Sequence, residues 1–226
     1  PVSVDEMIDV ARFSGLPELP RISLAHALNI KMVAKRYAKE TNSSYQDLNL
    51  VVVHLGSGIS VTAHRKGRMI DVNNANDEGP FSPQRAGTLP LTGLIKLCFS
   101  GEYSLKEMLN KVHKKAGLLA YLGTDDLVEI EKRIDNGDKK ADLIVQAMAY
   151  QIAKETGGMA TTLDGKVDAI LITGGMANFG YLIELIKQRV EFIAPTKVYP
   201  GEDELLALAR GALRVLNGEE TAKEYR

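Results

Sequence analysis

The sequence predicts an α/β fold built on a mixed sheet flanked by helices. Three observations predict it. Short segments rich in β-branched residues follow one another between positions 50 and 72 across tight, glycine-containing turns. From position 167 onward, strand-like and helix-like segments alternate. Hairpin-linked strands are antiparallel and helix-linked strands are usually parallel, so one sheet must hold both kinds.

The opening is turn-rich, with Gly15, Pro17 and Pro20 ahead of Ser23, a residue suited to cap a helix. Ile30, Val33, Ala34, Tyr37 and Ala38 then recur at helical spacing, and Asn42-Ser43-Ser44 ends that helix. Leu50–Leu55, Ile59–Ala63 and Met69–Val72 read as three short antiparallel strands, turning at Gly56-Ser57-Gly58 and at Arg65-Lys66-Gly67. Residues 73–90 form a polar loop, long enough to be functional or disordered. Helical segments are expected near 91–99, 104–114, 125–135 and 139–163, the last apolar on most sides and therefore buried. A strand from Val167 to Thr173 runs into Gly174-Gly175, followed by a helix over 179–189. Val190–Ile193 and Lys197–Tyr199 read as a strand pair. Leu205, Leu208, Ala209, Ala212, Val215 and Leu216 lie on one face of a last helix, and the tail from Asn217 is polar.

The 226 residues are 45% hydrophobic and 25% charged, a balance expected of a soluble globular protein. Lys plus Arg (28) nearly cancels Asp plus Glu (29), which argues against a broad nucleic-acid surface. Mean hydropathy is -0.10. No apolar run approaches the roughly 20 residues of a membrane-spanning helix, so no membrane partner is expected. One cysteine, Cys98, excludes an internal disulfide and a cysteine-built zinc site, and suits a reducing, cytoplasmic compartment. No secretory leader is visible. The chain opens on Pro1 and runs directly into the alternation Pro1-Val2-Ser3-Val4, as if entered in mid-fold.

The strongest chemical signal is His54-Leu55-Gly56-Ser57-Gly58-Ile59-Ser60 between two strands. Glycines flanking one small residue let backbone N–H groups converge on a point, which suits phosphate oxygens. No helix follows and no Gly-Lys-Ser/Thr is present, so this is neither a Walker A loop nor a Rossmann fingerprint. An ordinary hairpin turn also uses glycine pairs. His54 tilts the balance, since an imidazole can donate to a phosphoryl oxygen. Ile172-Thr173-Gly174-Gly175-Met176-Ala177-Asn178 carries a glycine pair at a strand's carboxyl end, where open α/β sheets bind ligands. A strand-to-helix connection needing positive φ would look the same.

Arg85, in the long loop, could stabilise charge on a transferring phosphoryl group or simply be solvated. His26, early in the first helix, could be structural. Glu204, beside Glu202 and Asp203, suits either a helix first turn or a magnesium carboxylate. His64 and His113 sit beside basic residues and read as surface. Cys98 reads as core.

Together these stretches resemble the acetate and butyrate kinase family. The resemblance lies in Val52–Ala63 around His54-Leu55-Gly56-Ser57-Gly58, and its Arg-x-Gly element is Arg85-Ala86-Gly87. Asp71–Ala75, Gly79–Pro90 and Ala120–Asp126 look more like butyrate kinase than acetate kinase. The resemblance implies a ribonuclease-H-like fold, as in actin and sugar kinases, and reversible transfer of the ATP γ-phosphoryl to a short carboxylate. Butyrate or a branched short acid is the substrate it favours, with acetate or propionate as alternatives. By resemblance, His54, Gly56, Ser57 and Gly58 would hold phosphates, and Arg85 and His26 would stabilise the phosphoryl group in flight. Gly174, Gly175 and Asn178 would line the adenosine side with Asp126 near the base, and Glu204 would help hold Mg2+. A homo-oligomer is also implied.

Two departures matter. The family's Asn-Pro-Gly-Ser-Thr-Ser-like loop and a second active-site arginine do not occur in these residues, and Val128 replaces the arginine usual near the adenine. The expectation is therefore that residues 46–226 form a carboxyl-terminal nucleotide-binding domain. Residues 1–45 are then a connecting remnant of an absent amino-terminal domain, and this chain alone is inactive. The rival readings are a non-catalytic, actin-like nucleotide-binding module and a phosphate-binding regulatory domain.

Overall fold

A computed structural model describes residues 7–201, 204–218 and 221, apart from the side chains of 204–207 and 210. Five strands form one sheet, β1 (Asn49–Leu55), β2 (Ile59–Arg65), β3 (Arg68–Val72), β4 (Ala169–Gly174) and β5 (Thr196–Pro200), in the order β3-β2-β1-β4-β5. The first three strands pair antiparallel, whereas β4 and β5 join β1 in parallel. The mixed sheet is as expected, and its central pair, β1 and β4, is parallel.

Alternation along β1 sends Val51, Val53 and Leu55 to one face and Leu50 and Val52 to the other, all fully buried. The first set packs on α6 (Lys139–Thr162) and α7 (Gly180–Val190) through Val145, Met148, Ile152, Leu182 and Ile186. The second set meets Ile30, Val33 and Ala34 of α1 (Ala27–Glu40). Burying each such aliphatic side chain contributes roughly 1.5–3 kcal/mol, and this two-faced burial holds β1 rigidly at the sheet centre. The remaining helices are α2 (Leu91–Cys98), α3 (Leu105–Lys114), α4 (Gly117–Leu122), α5 (Leu127–Asp135) and α8 (Glu204–Leu216). Among the described residues no helix is long and apolar enough to cross a membrane.

Several sequence expectations are corrected. Ser23 is not the cap of α1: the helix starts after His26, which makes no side-chain capping bond. The preceding segment is held extended instead, because Arg21 N–H donates to Arg12 O and Ala75 N–H to Leu24 O. Val190–Ile193 is no strand. Val190 ends α7 and is buried with Ile183 and Ile186, so its β-branched side chain serves a helical face. The short helix α4 was not foreseen, and its first residue, Gly117, has φ +58°.

Helix α6 buries one face only, leaving Leu143 63% exposed. Cys98 is exposed, since α2 buries none of its residues among the described part of the chain. His64, read as surface, is completely buried. Its strand-mates Ser60 and Thr62 alternate with apolar residues as a solvent-facing edge would, but α1 and Tyr45 cover that face. Tyr45 Oη lies 2.6 Å from His64 Nδ1, and Thr62 Oγ1 2.8 Å from Nε2. Thr62 spends its only proton on Val52 O, so Nε2 carries the imidazole hydrogen and Nδ1 accepts from Tyr45. Burial, followed by the nearby Lys31 charge, lowers the His64 pKa to about 3. His113 is half-buried and faces Asp77 at 3.6 Å.

Candidate functional site

Both glycine motifs end at the same edge of the sheet. β1 pairs in parallel with β4, His54 opposite Thr173, so the carboxyl ends of both strands emerge together. Gly174 has φ +97°, and a Cβ there would collide with the Leu55 carbonyl oxygen. Glycine is therefore required for two reasons: the left-handed backbone and the close approach to β1. Past Leu55 the chain turns through Gly56-Ser57-Gly58, closed by Gly56 N–H donating to Gly58 O at 3.2 Å. Gly56 and Gly58 are buried and Ser57 is exposed at the tip. Gly175 opens a short 3-10 turn, in which Asn178 Nδ2 donates to Gly175 O.

His54 follows Leu50 and Val52 onto the α1 side of the sheet. It is 0% exposed, and Asn29 Oδ1 accepts from its Nδ1 at 3.0 Å. His26 lies flat on it, with ring centroids 3.9 Å apart and planes 14° off parallel. His26 Nδ1 is 3.0 Å from Ser60 Oγ, and Ser60 pairs directly with His54 across the hairpin. Burial first, and then the His26 ring, lower the His54 pKa to about 3, so His54 is a neutral imidazole at pH 7. With its one N–H committed to Asn29, neutral His54 serves as a platform beneath His26, which is only partly buried.

The loop that carries Arg85 is firmly held. Thr88 N–H donates to Gly79 O and Gly79 N–H to Thr88 Oγ1, closing its base. α4 bonds it from behind through Leu118 N–H to Ser82 O and Leu119 N–H to Pro83 O. Ser82 Oγ donates to Ser57 O and accepts from the Arg85 amide, joining the loop to the glycine turn. The Arg85 guanidinium donates through Nη1 to Ala75 O at 3.0 Å and lies against Gly58, where a Cβ would strike it. Burial lowers the Arg85 pKa, opposed by the charge of Asp77.

The structure thus brings together His26, His54, Gly56, Ser57, Gly58 and Arg85, with Gly174 and Gly175 alongside. Asp126 is placed otherwise. It caps α5, accepting from the Val128 and Glu129 amides, and no hydrogen bond or ion pair joins it to the cluster among the described residues. Glu204 begins α8, but its side chain lies outside the described residues. Asn29, Ser60 and Ser82 were missed by sequence reasoning. Asn29 was within reach of it, because it stands three residues past His26, which leads into α1.

The donor set suits a polyanion. A guanidinium lies against the glycine turn that follows His54, a partly buried imidazole stacks on His54, and Asn29 Nδ2 is buried with no partner among the described residues. Among the described residues no group of three or more His, Cys, Asp or Glu could hold a metal ion.

Residues 21–196 match the Acetokinase family. Over its whole length the chain is 55% identical to butyrate kinase 2 of Clostridium acetobutylicum and 57% identical to probable butyrate kinase 2 of Caldanaerobacter subterraneus. It spans 64% of the length of each. An acetate kinase of Porphyromonas gingivalis superposes with a TM-score of 0.84 at 23% identity, covering 94% of this chain and 62% of that one. A propionate kinase of Francisella tularensis gives 0.79 at 21% identity, covering 90% and 60%. At such identities the likeness is one of fold, and it bears out the ribonuclease-H-like architecture expected from the sequence.

Proposed function

The chain belongs to the acetokinase family, and from that premise we propose that it supplies the nucleotide-side half of a carboxylate kinase. The reaction is reversible transfer of the ATP γ-phosphoryl to butyrate or a similar short-chain or branched acid, giving an acyl phosphate and ADP. A carboxylate oxygen forms the new bond to γ-phosphorus while the bond to the β,γ-bridging oxygen breaks, and that electron pair leaves with ADP. The observation that carries this reading is the packing of Arg85 against Gly58 in the turn that follows His54, the histidine on which His26 stacks. In-line phosphoryl transfer asks of a protein positioning and charge stabilisation, with no covalent nucleophile.

The glycine turn is assigned to the phosphates. Arg85 and His26 would neutralise charge on the equatorial oxygens of the group in transfer, with His54 and Asn29 holding the His26 ring in place. Gly174, Gly175 and Asn178 would border adenosine, and Asp126 would lie toward the base. Mg2+ usually rides on the nucleotide phosphates with one or two carboxylates and water. It would offset their charge when bound, with Glu204 as the carboxylate offered by this chain.

Residues 46–226 are assigned to the nucleotide-binding domain and 1–45 to its connection with the acyl-side half. α1 of that connecting stretch packs on the sheet and contributes Asn29, and the residue just before it is His26. The test is ATP- and magnesium-dependent acyl phosphate formation, trapped with hydroxylamine, by the protein expressed at full gene length. Hydroxamate from butyrate or isobutyrate is expected. None from butyrate, isobutyrate, propionate or acetate would end the proposal. The 226-residue chain assayed alone is expected to be silent.

A further inference from the structure

Arg21 belongs to none of the motifs above, yet all five of its side-chain donors are engaged. Nε donates to Glu78 (3.2 and 3.3 Å to its two oxygens), and Nη1 donates to Ala11 O at 2.7 Å and Asp71 Oδ1 at 3.2 Å. Nη2 donates to Val72 O at 3.0 Å and Glu78 Oε2 at 3.1 Å. These acceptors come from three separate segments: the turn at Asp9–Arg12, the end of β3, and the loop that bears Arg85. Burial lowers the Arg21 pKa, but the Glu78 hydrogen bond and the Asp71 charge more than offset this, so the group is held cationic. Glu155 of α6 adds a third carboxyl nearby, raised by burial and then by Glu78. One guanidinium therefore holds Asp71 and Glu78 together, with Glu155 within electrostatic reach.

A second link runs beside the first. The Ala75 amide donates to Leu24 O at 3.0 Å, and the Ala75 carbonyl accepts from Arg85 Nη1 at 3.0 Å. Leu24 is two residues ahead of His26. The extended segment from Arg21 to His26 and the loop from Asn73 to Arg85 are thus fastened side by side, with Arg21 gripping the loop at Glu78.

We propose that Arg21 is a positioning residue that sets Arg85 and His26 in register by clamping the Arg85 loop against the segment leading to His26. The kinetic part of this rests on the carboxylate kinase reading; the positional part does not. Lysine at position 21 would keep the charge but offer three donors from a single atom, so it cannot reproduce a planar fork serving three segments.

The test uses the full-length protein with Arg21→Lys and Glu78→Gln, each alone and combined with Arg85→Ala, beside the unsubstituted enzyme. Displacing a catalytic group by about 1 Å costs roughly 100-fold, so R21K is expected to lower kcat by about that factor with the KM for ATP within about threefold. E78Q should follow in the same direction by about tenfold, and it decides the matter should R21K fail to fold. In the R85A background either change should cost less than about threefold, because the group being positioned is gone. Equal losses in both backgrounds, or unchanged kcat, would overturn the proposal. Hydrogen exchange reads the clamp without turnover. The Ala75 amide should exchange at least about tenfold faster in R21K and E78Q while β1 and β4 amides stay protected. Unchanged Ala75 protection overturns the clamp even if the unsubstituted protein makes no acyl phosphate, a silence that counts against the kinase reading alone.

Discussion

The guanidinium of Arg85 occupies the space that a side chain on Gly58 would need. The glycine of the turn is thus explained by the arginine of the loop. Gly58 is not among the positive-φ residues, so alanine there is compatible with the backbone and its effect falls on Arg85. Gly58→Ala in the full-length enzyme should lower kcat by about 10- to 100-fold with little loss of stability. Arg85→Ala should cost more, on the order of 1,000-fold. Hydroxamate formation, read beside thermal unfolding, checks both. A Gly58→Ala enzyme with unaltered kcat would show that Arg85 can leave this position at no cost.

Gly174 allows no such latitude. Alanine there would meet both a φ of +97° and the Leu55 carbonyl, so β4 would have to part from the end of β1. Gly174→Ala is expected to destabilise the fold by at least about 2 kcal/mol and to weaken ATP binding. Urea unfolding and calorimetric titration with ATP measure the two effects separately.

Two buried histidines make stability depend on pH. His54 and His64 each have a folded pKa of about 3 against an ordinary value of 6.5. Between these values the unfolded chain binds more protons, so stability rises with pH through that window and levels off above 6.5. Each histidine contributes at most about 1.4 kcal/mol per pH unit there. Urea unfolding at pH 4.5 and pH 7 should show the difference. In His64→Phe the pH slope should shrink even though overall stability falls, because Tyr45 and Thr62 lose a buried partner. A slope unchanged by that substitution would remove His64 from this account.

Asp126 is a helix cap in the fold and a base-side group in the functional reading, and the two roles separate experimentally. Asparagine caps a helix about as well as aspartate, so Asp126→Asn should leave stability within about 0.5 kcal/mol, whereas Asp126→Ala should lose about 1 kcal/mol. If Asp126 also faces the adenine, D126N raises the KM for ATP severalfold at constant kcat, the pattern of lost uniform binding. An unchanged KM confines the residue to capping α5.

Legibility in the sequence followed the range of the interaction. The three hairpin strands, the long helices and both glycine motifs were readable because period and turn chemistry are written within a few neighbouring residues. Val190 was misread because a β-branched run says strand locally, whereas packing against Ile183 and Ile186 makes it the end of a helix. His64 and Cys98 were exchanged, one taken for surface and one for core. Alternation and amphipathicity name a face without saying what covers it: α1 covers the strand face that bears His64, and nothing described buries Cys98.

By itself, the sequence determined the mixed α/β class, most of the element order, the family, and the candidate residues for binding phosphate. Only the tertiary structure decided which of them meet. It laid His26 on His54, set Arg85 against Gly58, and closed the Arg21 clamp on Glu78, a partner 57 positions away. A local pattern can specify a backbone conformation, because dihedral preferences and hydrogen bonds act over a turn or two. The meeting of distant side chains is set by how the helices close over the sheet, and no single stretch of the chain carries that information.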